Sequence, residues 1–321
     1  MRVVVAGSSG LIGSALLDAL RRRGDHVRRL VRRTVGPDAA PDAAPDAAHD
    51  APDADHDASD EKEWHPSSAS LDPAALEAAD AVVNLAGAGL GDRRWSAERR
   101  RQILASRVDS TSVLARAMTA MAHPPRVLVN ASAVGFYGNR GDEELTEDSA
   151  AGTGFLAEVC RAWEDATAPA AEAGIRVVRL RSGVVLSRRG GALSRQLPLF
   201  RAGLGGRLGD GRQWLSWISI SDEIGAILHA LDHDSLGGAV NATAPMPLTN
   251  RGFTVSLGRA LHRPTVLAVP RFALRAALGA ELADEMVLSG QRVFPARLSA
   301  SGYEFEHPDI DAALAAVLAG A

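Results

Sequence analysis

Residues 1–33 read MRVVVAGSSGLIGSALLDALRRRGDHVRRLVRR, and the way this stretch folds organises the rest of the chain. Arg2 to Ala6 is a short, branched apolar run of the kind that forms a buried strand. It breaks into Gly7-Ser8-Ser9-Gly10-Leu11-Ile12-Gly13, with glycines every third residue. Ile12, Leu16, Leu17 and Leu20 then recur on one helical face until Gly24 ends the helix. A second strand spans His26 to Val31 and runs into Arg32-Arg33. Strand, glycine turn, helix and strand make a βαβ unit of the kind that binds dinucleotides.

Each glycine has its own reason. Gly7 permits the tight turn off the strand, and Gly10 lets the backbone approach a diphosphate with no Cβ in the way. Gly13 brings helix and strand close together. Ser8, Ser9, Leu11 and Ile12 share the turn, and the helix N-terminus presents free N–H groups to an anion.

The end of the second strand selects the cofactor. An NAD site places an acid about 20 residues past the glycines to hold the ribose 2′-hydroxyl. Here Val31-Arg32-Arg33-Thr34 stands at that place, and no acid follows until Asp38. A guanidinium fork pairs with a 2′-phosphate that a carboxylate would repel. The expected cofactor is NADP(H), with Arg32 and Arg33 at the phosphate; the other reading is two solvated surface arginines.

With 321 residues, 46% hydrophobic and 23% charged, the composition is that of a soluble globular enzyme. No apolar run reaches the roughly 20 residues of a membrane span. The chain enters a strand at once with no signal-peptide pattern, so the cytoplasm is expected. A single cysteine, Cys160, excludes an internal disulfide and any cysteine-based zinc cage. The net charge of −4 conceals an asymmetry. Residues 36–63 hold ten acids and one base, leaving 29 acids and 34 bases elsewhere. That mildly basic body suits an anionic cofactor, without the aromatic-interleaved basic patch of a nucleic-acid binder. The expected partner is a small molecule, and the oligomeric state stays open.

Residues 36–61, GPDAAPDAAPDAAHDAPDADHDASDE, lack aromatic and branched residues and read as a disordered insertion, with the fold resuming near Trp64. Ala75 to Ala79 reads as helix and Ala81 to Leu85 as a strand ending in Leu85-Ala86-Gly87. A long helix contains Arg99 to Met121. Val127 to Asn130 is the next strand, and its end carries Ala131, Ser132 and Tyr137, where ligand groups of open α/β sheets gather. A helix over about 154–173 leads to strand Arg176 to Leu180 and Ser182. Beyond residue 190 the alternation loosens. The expected architecture is α/β, a Rossmann-like doubly wound parallel sheet over 1–189. A smaller, mostly helical substrate lobe over 190–321 interleaves with that sheet.

Several segments together resemble one family in order and spacing. They are GSSGLIG (7–13), NLAGAGLGDRRW (84–95), SRVDST (106–111), SAVGFYGNRGDEELTEDS (132–149), GFLAEVCRAWE (154–164), LRSGVVLSRRGGAL (180–193), LGDGRQWLSW (208–217) and NATAP (241–245). The family is an atypical branch of the short-chain dehydrogenase/reductase superfamily, the epimerase-like NADP(H) oxidoreductases of unassigned reaction. LGRALHRPTVLAVP, SGQRVFPARL and SGYEFEHPD look like that family's C-terminal extension. The resemblance implies Gly7 through Gly13 at the diphosphate, Arg32 at the 2′-phosphate and Leu85, Ala86 and Gly87 along the adenosine. It implies Ala131 and Ser132 near the nicotinamide, and Arg93 reaching back toward the cofactor. The chain departs from the pattern at Ala88, where the family has an acid, and at Ser219, where it has a histidine.

The wider superfamily transfers hydride with a Tyr-x-x-x-Lys pair, the lysine lowering the tyrosine pKa. Neither tyrosine here has that partner: Gly141 lies four residues after Tyr137 and His307 four after Tyr303. Where extended members carry the pair, this chain has Phe155 and Val159. The remaining chemistry rests on Ser132, as hydrogen-bond donor to a substrate oxygen or as a strand-end cap. Tyr137 is either a proton donor, assisted by Arg140, or a packed aromatic. Glu158 reads as a helix-surface charge, and Trp214, Trp217 and Asn241 as pocket wall or core. Three functions follow: an NADP(H)-dependent oxidoreductase or isomerase on a small polar, sugar-like molecule; a non-catalytic NADP(H)-binding regulatory or redox-sensing module; and a scaffold using the glycine turn structurally.

Overall fold

The computed structural model describes residues 1–32, 61–68 and 71–320. Arg33 and residues 36–60 of the Pro-Asp-Ala tract lie outside the described residues. The first unit forms as the sequence dictates: β1 (Arg2–Ala6), α1 (Leu11–Arg22) and β2 (His26–Val31). Gly13, Leu16, Leu17 and Leu20 are the buried positions of α1. Gly24, at φ +81°, turns the chain back toward β2 in a backbone region few other residues enter.

Five more strands complete the sheet: β3 (Glu61–Glu63), β4 (Ala81–Asn84), β5 (Val127–Ala133), β6 (Arg176–Ser182) and β7 (Gly238–Ala242). The seven run in the order β7-β6-β5-β4-β1-β2-β3. All neighbours are parallel, with Val4 opposite Val82 and Val83 opposite Val129. The chain builds outward from β1 through β2 and β3, then returns to β4. That reversal creates the switch point beside β1, where such sheets bind ligands.

Two hydrophobic layers cover the sheet. On one face Val3 and Val5 pack with Leu16 and Leu20 of α1 and with Ile224 and Ile227 of the helix Ile220–Asp232. On the other, Val4, Leu30, Trp64 and Leu76 pack with Leu114 and Met118 of α2 (Ala97–Thr119). The alternation along β1 follows from the period-two geometry of a strand. A separate core of Leu193, Phe200, Trp217, Phe253 and Leu314 lies under the C-terminal segments. Helix Ile220–Asp232 and β7 nevertheless belong to the sheet layers, so the latter part of the chain is interleaved with them.

Four local expectations change. Glu61, the last residue of the tract, already belongs to the fold ahead of Trp64: Glu61–Glu63 pairs with β2 and Glu61 meets Arg29 at 2.9 Å. Ala75–Ala79 is instead a 3₁₀ turn, Pro73–Leu76, capped by the Asp72 carboxylate. The helix expected over 154–173 divides into α3 (Phe155–Asp165) and a short helix, Ala168–Glu172. Strands β5 and β6 run on to Ala133 and Ser182, so Ser132 and Ser182 sit inside the strands instead of just past their ends.

Candidate functional site

A cleft of about 340 Å³ opens over the carboxyl ends of β1, β5 and β6, within the size range of small-molecule sites. The glycine turn closes one end through Gly7, Gly10, Leu11, Ile12 and Gly13, and Leu85 stands beside it. Ala131, Ser132 and Ser182 line the other end. Nine of the sequence-derived positions therefore share one cavity.

The three glycines divide as their spacing suggested. A Cβ on Gly7 would stand 2.6 Å from the Leu85 carbonyl carbon, and one on Gly13 would stand 2.2 Å from the Gly7 carbonyl oxygen. Both are demanded by the protein's own packing. A Cβ on Gly10 would meet nothing closer than the Gly7 carbonyl oxygen at 3.5 Å. No protein atom requires that glycine, and its open side faces the cleft, as a backbone meant to touch a diphosphate would.

Other expected positions lie off the cleft wall. The Ser8 hydroxyl is buried and accepts from Arg29 Nε at 3.2 Å, so it braces β2 instead of facing a ligand. Ser9 and Arg32 are exposed, Arg32 at the last described position after β2. The Ala86 N–H donates to Asn84 Oδ1, Gly87 lies against the Arg107 guanidinium, and Arg93 is exposed on the following loop.

The floor between β4 and β5 is a buried amide and hydroxyl network. Asn84 Nδ2 donates to Asn130 Oδ1 at 2.8 Å and to Thr111 Oγ1 at 3.0 Å. The indole N–H of Trp163 also donates to Thr111 Oγ1, at 3.0 Å, which places that ring on the cleft wall. Satisfied networks of this kind lock strand ends against one another.

Ser132 stands over a second network. Its hydroxyl donates to Glu164 Oε1 at 2.7 Å. Glu164 is gripped at both oxygens by Arg181, from Nε and from Nη2, each at 2.8 Å. Glu164 so held also takes the one hydroxyl proton of Ser132. Toward the cleft Ser132 offers lone pairs, so its expected role as donor becomes that of an acceptor.

Of the two readings of Tyr137, the structure gives the packed aromatic and not the proton donor. It is fully buried, donates to Asn241 Oδ1 at 2.7 Å and accepts from Arg181 Nη1 at 2.9 Å. Burial raises its pKa, with Arg181 and Asn241 opposing the rise. With both hydroxyl functions used and no face on the cleft, it is a structural tyrosine. Arg140 does not assist it: that side chain pairs with Glu143 at 2.6 and 2.8 Å near the surface. Asn241 serves the same internal network, and Trp217 is core. The indole N–H of Trp214 donates to Asp142 at 2.7 Å, away from the cleft wall. Phe155 and Val159 are buried on α3 against Ile103, so that helix has no proton-transfer group at either position.

Three side chains at or behind the cleft escaped the sequence reading. Arg107 lines the cleft from α2, donates to the Ala88 and Ile103 carbonyls, and stacks on Trp163 with 5.0 Å from Cζ to the ring centre. Burial lowers its pKa to about 10, leaving it cationic at neutral pH. Its signal was the SRVDST segment. Trp163, on α3, had none beyond its place in GFLAEVCRAWE. Glu223, on the helix Ile220–Asp232, is completely buried and accepts from the Ser182 hydroxyl at 2.6 Å. Burial pushes its pKa up to about 7 against the Ser182 hydrogen bond. Among the described residues no group of His, Cys, Asp and Glu is arranged to hold a metal. Among them, too, no helix is long and apolar enough to cross a membrane.

A parallel sheet of this order, with its glycine turn at the reversal beside β1, defines a Rossmann-like α/β protein. The chain belongs to the NAD dependent epimerase/dehydratase family, whose model matches residues 3–242, and residues 269–317 match a domain of unknown function, DUF1731. It is 46% identical over 312 residues to epimerase family protein ML0860 of Mycobacterium leprae, covering 97% of this chain and 94% of that one. It is 38% identical to mouse epimerase family protein SDR39U1, covering 99% of this chain and all of the relative. The crystal structure of human SDR39U1 with NADPH superposes with a TM-score of 0.85 at 34% identity, covering 100% of both chains. A UDP-glucuronic acid 4-epimerase from Bacillus cereus in complex with NAD has a TM-score of 0.73 at 16% identity, covering 98% of this chain and 97% of that one. That likeness is of fold. The chain is thus an SDR39U1-like epimerase family protein with a C-terminal DUF1731 domain.

Proposed function

We propose that this chain binds NADP(H) in the cleft and acts as an oxidoreductase or epimerase-like enzyme on a small polar, sugar-like molecule. The observation that carries the reading is the cleft itself. A glycine that no protein atom requires lies at one end, and polar strand ends lie at the other. The turn Gly7–Gly13 would hold the diphosphate, Leu85 would flank the adenosine side, and Ala131, Ser132 and Ser182 would face the nicotinamide. Arg32, the residue just past β2, would pair with the 2′-phosphate. When bound, the nicotinamide supplies or accepts hydride; the chain's residues supply position, water exclusion and protons.

Support comes from the NADPH in the human relative. A structure from Corynebacterium glutamicum described as a nucleoside-diphosphate sugar epimerase supports the sugar-like substrate, at 36% identity over 98% of this chain and 57% of that one. The absence of a tyrosine–lysine pair supports a second reading, a non-catalytic NADP(H)-binding regulatory or redox-sensing module.

Titration with NADPH and with NADH, read by tryptophan quenching, tests the proposal, because Trp163 lines the cleft. Submicromolar NADPH and much weaker NADH binding is expected. Arg32→Ala should weaken NADPH at least about tenfold and leave NADH unchanged. Equal loss for both nucleotides removes the 2′-phosphate assignment, and binding of neither removes the cofactor reading. NADPH binding with neither net oxidation nor any epimerised product from a panel of carbonyl compounds and nucleotide sugars favours the regulatory module.

A further inference from the structure

The cleft carries two serines with different supports. Behind Ser132 lies Glu164, whose two oxygens both accept from Arg181. Behind Ser182 lies Glu223, which has no cationic partner among the described residues. The Ser182 hydroxyl is 2.6 Å from Glu223 Oε1, and Oε2 is buried with no hydrogen-bond partner. An unpartnered oxygen is far less costly on a neutral carboxyl than on a carboxylate. In the neutral form a proton on Oε1 points to Ser182 Oγ, and the Ser182 hydrogen is released toward the cleft.

We infer that Ser182 and Glu223 form a two-residue proton path opening onto the nicotinamide end of the cleft, standing in for the absent tyrosine–lysine pair. This rests on the cofactor reading above. Ser182 faces the substrate, and Glu223 is a positioning residue that acts through it. In the reducing direction the Ser182 O–H bond breaks as a substrate O–H bond forms. At the same time the Glu223 O–H bond breaks and the Ser182 hydroxyl is restored. Glu223 is left as a carboxylate and regains its proton from water through Ser182 once the product has gone. The hydride belongs to the reduced nicotinamide. In the oxidising direction a substrate hydroxyl loses its proton along the same path. Ser132 is not placed to do this, because both oxygens of the Glu164 behind it are taken by Arg181.

Asp222, Tyr303, His229 and His307 are the titratable groups packed around Glu223. Asp222, beside it on the same helix, is buried and accepts from Ser219, from Tyr303 and from the Glu306 and His307 N–H groups. Tyr303 faces both acids, and its phenol is raised by burial first and then by Asp222, Glu306 and Glu223, so it stays neutral. His229, further along the helix, packs edge-on against Tyr303 and is lowered by burial. His307 lies 3.7 Å from Asp222, on that residue's far network. From the sheet, Ser182 is the hydrogen-bond partner of Glu223.

The experiment is a pH titration of the carboxyl C=O infrared band in wild type, Glu223→Gln and Ser182→Ala, each with and without NADP⁺ as the probe. NADPH quenching is measured on the same samples. In wild type a protonated carboxyl band is expected to disappear around neutral pH and to be absent in Glu223→Gln. NADP⁺ should displace its midpoint by about one pH unit, and Ser182→Ala should abolish that displacement. Quenching by NADPH with no band titrating between pH 6 and 8 overturns the path alone. An equal displacement in Ser182→Ala does the same. A wild type that binds no NADPH overturns the cofactor reading and the path with it. Glu223→Gln keeps the side-chain shape and an oxygen acceptor for Ser182, so the assignment of the band does not depend on a disruptive variant.

Discussion

Ser132 and Glu164 are 32 positions apart in the chain and 2.7 Å apart in the fold, joined by a hydrogen bond that ties the cleft to a buried ion pair. Glu164 meets Arg181 at 2.8 Å with both side chains about 5% exposed or less. Glu164→Gln keeps an acceptor for Ser132 but strips Arg181 of its counter-charge. Removing one partner of a buried pair leaves a charge uncompensated, so a loss of about 3 kcal/mol is expected. The check is urea unfolding, with a lower midpoint at unchanged slope.

Gly10 and Gly13 should respond to alanine in opposite ways. Gly13→Ala drives a methyl into the Gly7 carbonyl oxygen and should destabilise the fold by about 2 kcal/mol or more. Gly10 has φ −75° and open space, so Gly10→Ala should keep its melting temperature while losing at least about tenfold in NADPH affinity. Paired thermal melts and NADPH titrations distinguish the two. A Gly10→Ala protein that binds NADPH normally would remove the diphosphate from the turn.

Tyr137→Phe deletes a hydroxyl shared by Asn241 and Arg181 and leaves a buried amide oxygen without its donor. A stability loss of about 1–2 kcal/mol is expected, with NADPH affinity unchanged. Differential scanning calorimetry beside a cofactor titration measures both. Unchanged stability with lost cofactor binding would return Tyr137 to the site.

Glu223 gives stability a pH dependence of defined sign. Its carboxyl rises from an ordinary value of 4.5 to about 7 in the fold, so between these values the folded protein holds more protons than the unfolded chain. Stability from this group is complete below about pH 4.5 and is lost as pH rises to about 7. The loss amounts to about 3 kcal/mol. Unfolding free energies of wild type minus Glu223→Gln, measured from pH 4.5 to 8, should fall by about that amount and level off above 7. A flat difference would mean the carboxyl is ionised throughout.

Much of this was legible in local sequence. The valines of β1, the leucine face of α1 and the glycine spacing each act over a few residues, where period and backbone freedom are decisive. The same locality explains the errors. Ser132 and Ser182 were seen as strand-end groups, but what their hydroxyls bond to depends on side chains far along the chain. Tyr137 stood beside Arg140 in sequence and took Arg181 in space, 44 residues on. Arg107 and Trp163 meet across two helices that share no sequence signal.

The sequence by itself determined a parallel α/β sheet with a glycine turn after its first strand, because strand alternation, helix face and glycine placement are properties of neighbouring residues. Tertiary structure alone decided which serine carries a titrating acid behind it. Glu223 lies 41 residues from Ser182, on a helix whose packing excludes water and cations from the carboxyl. A buried acid's proton affinity is set by what surrounds it in space, and no stretch of chain records that.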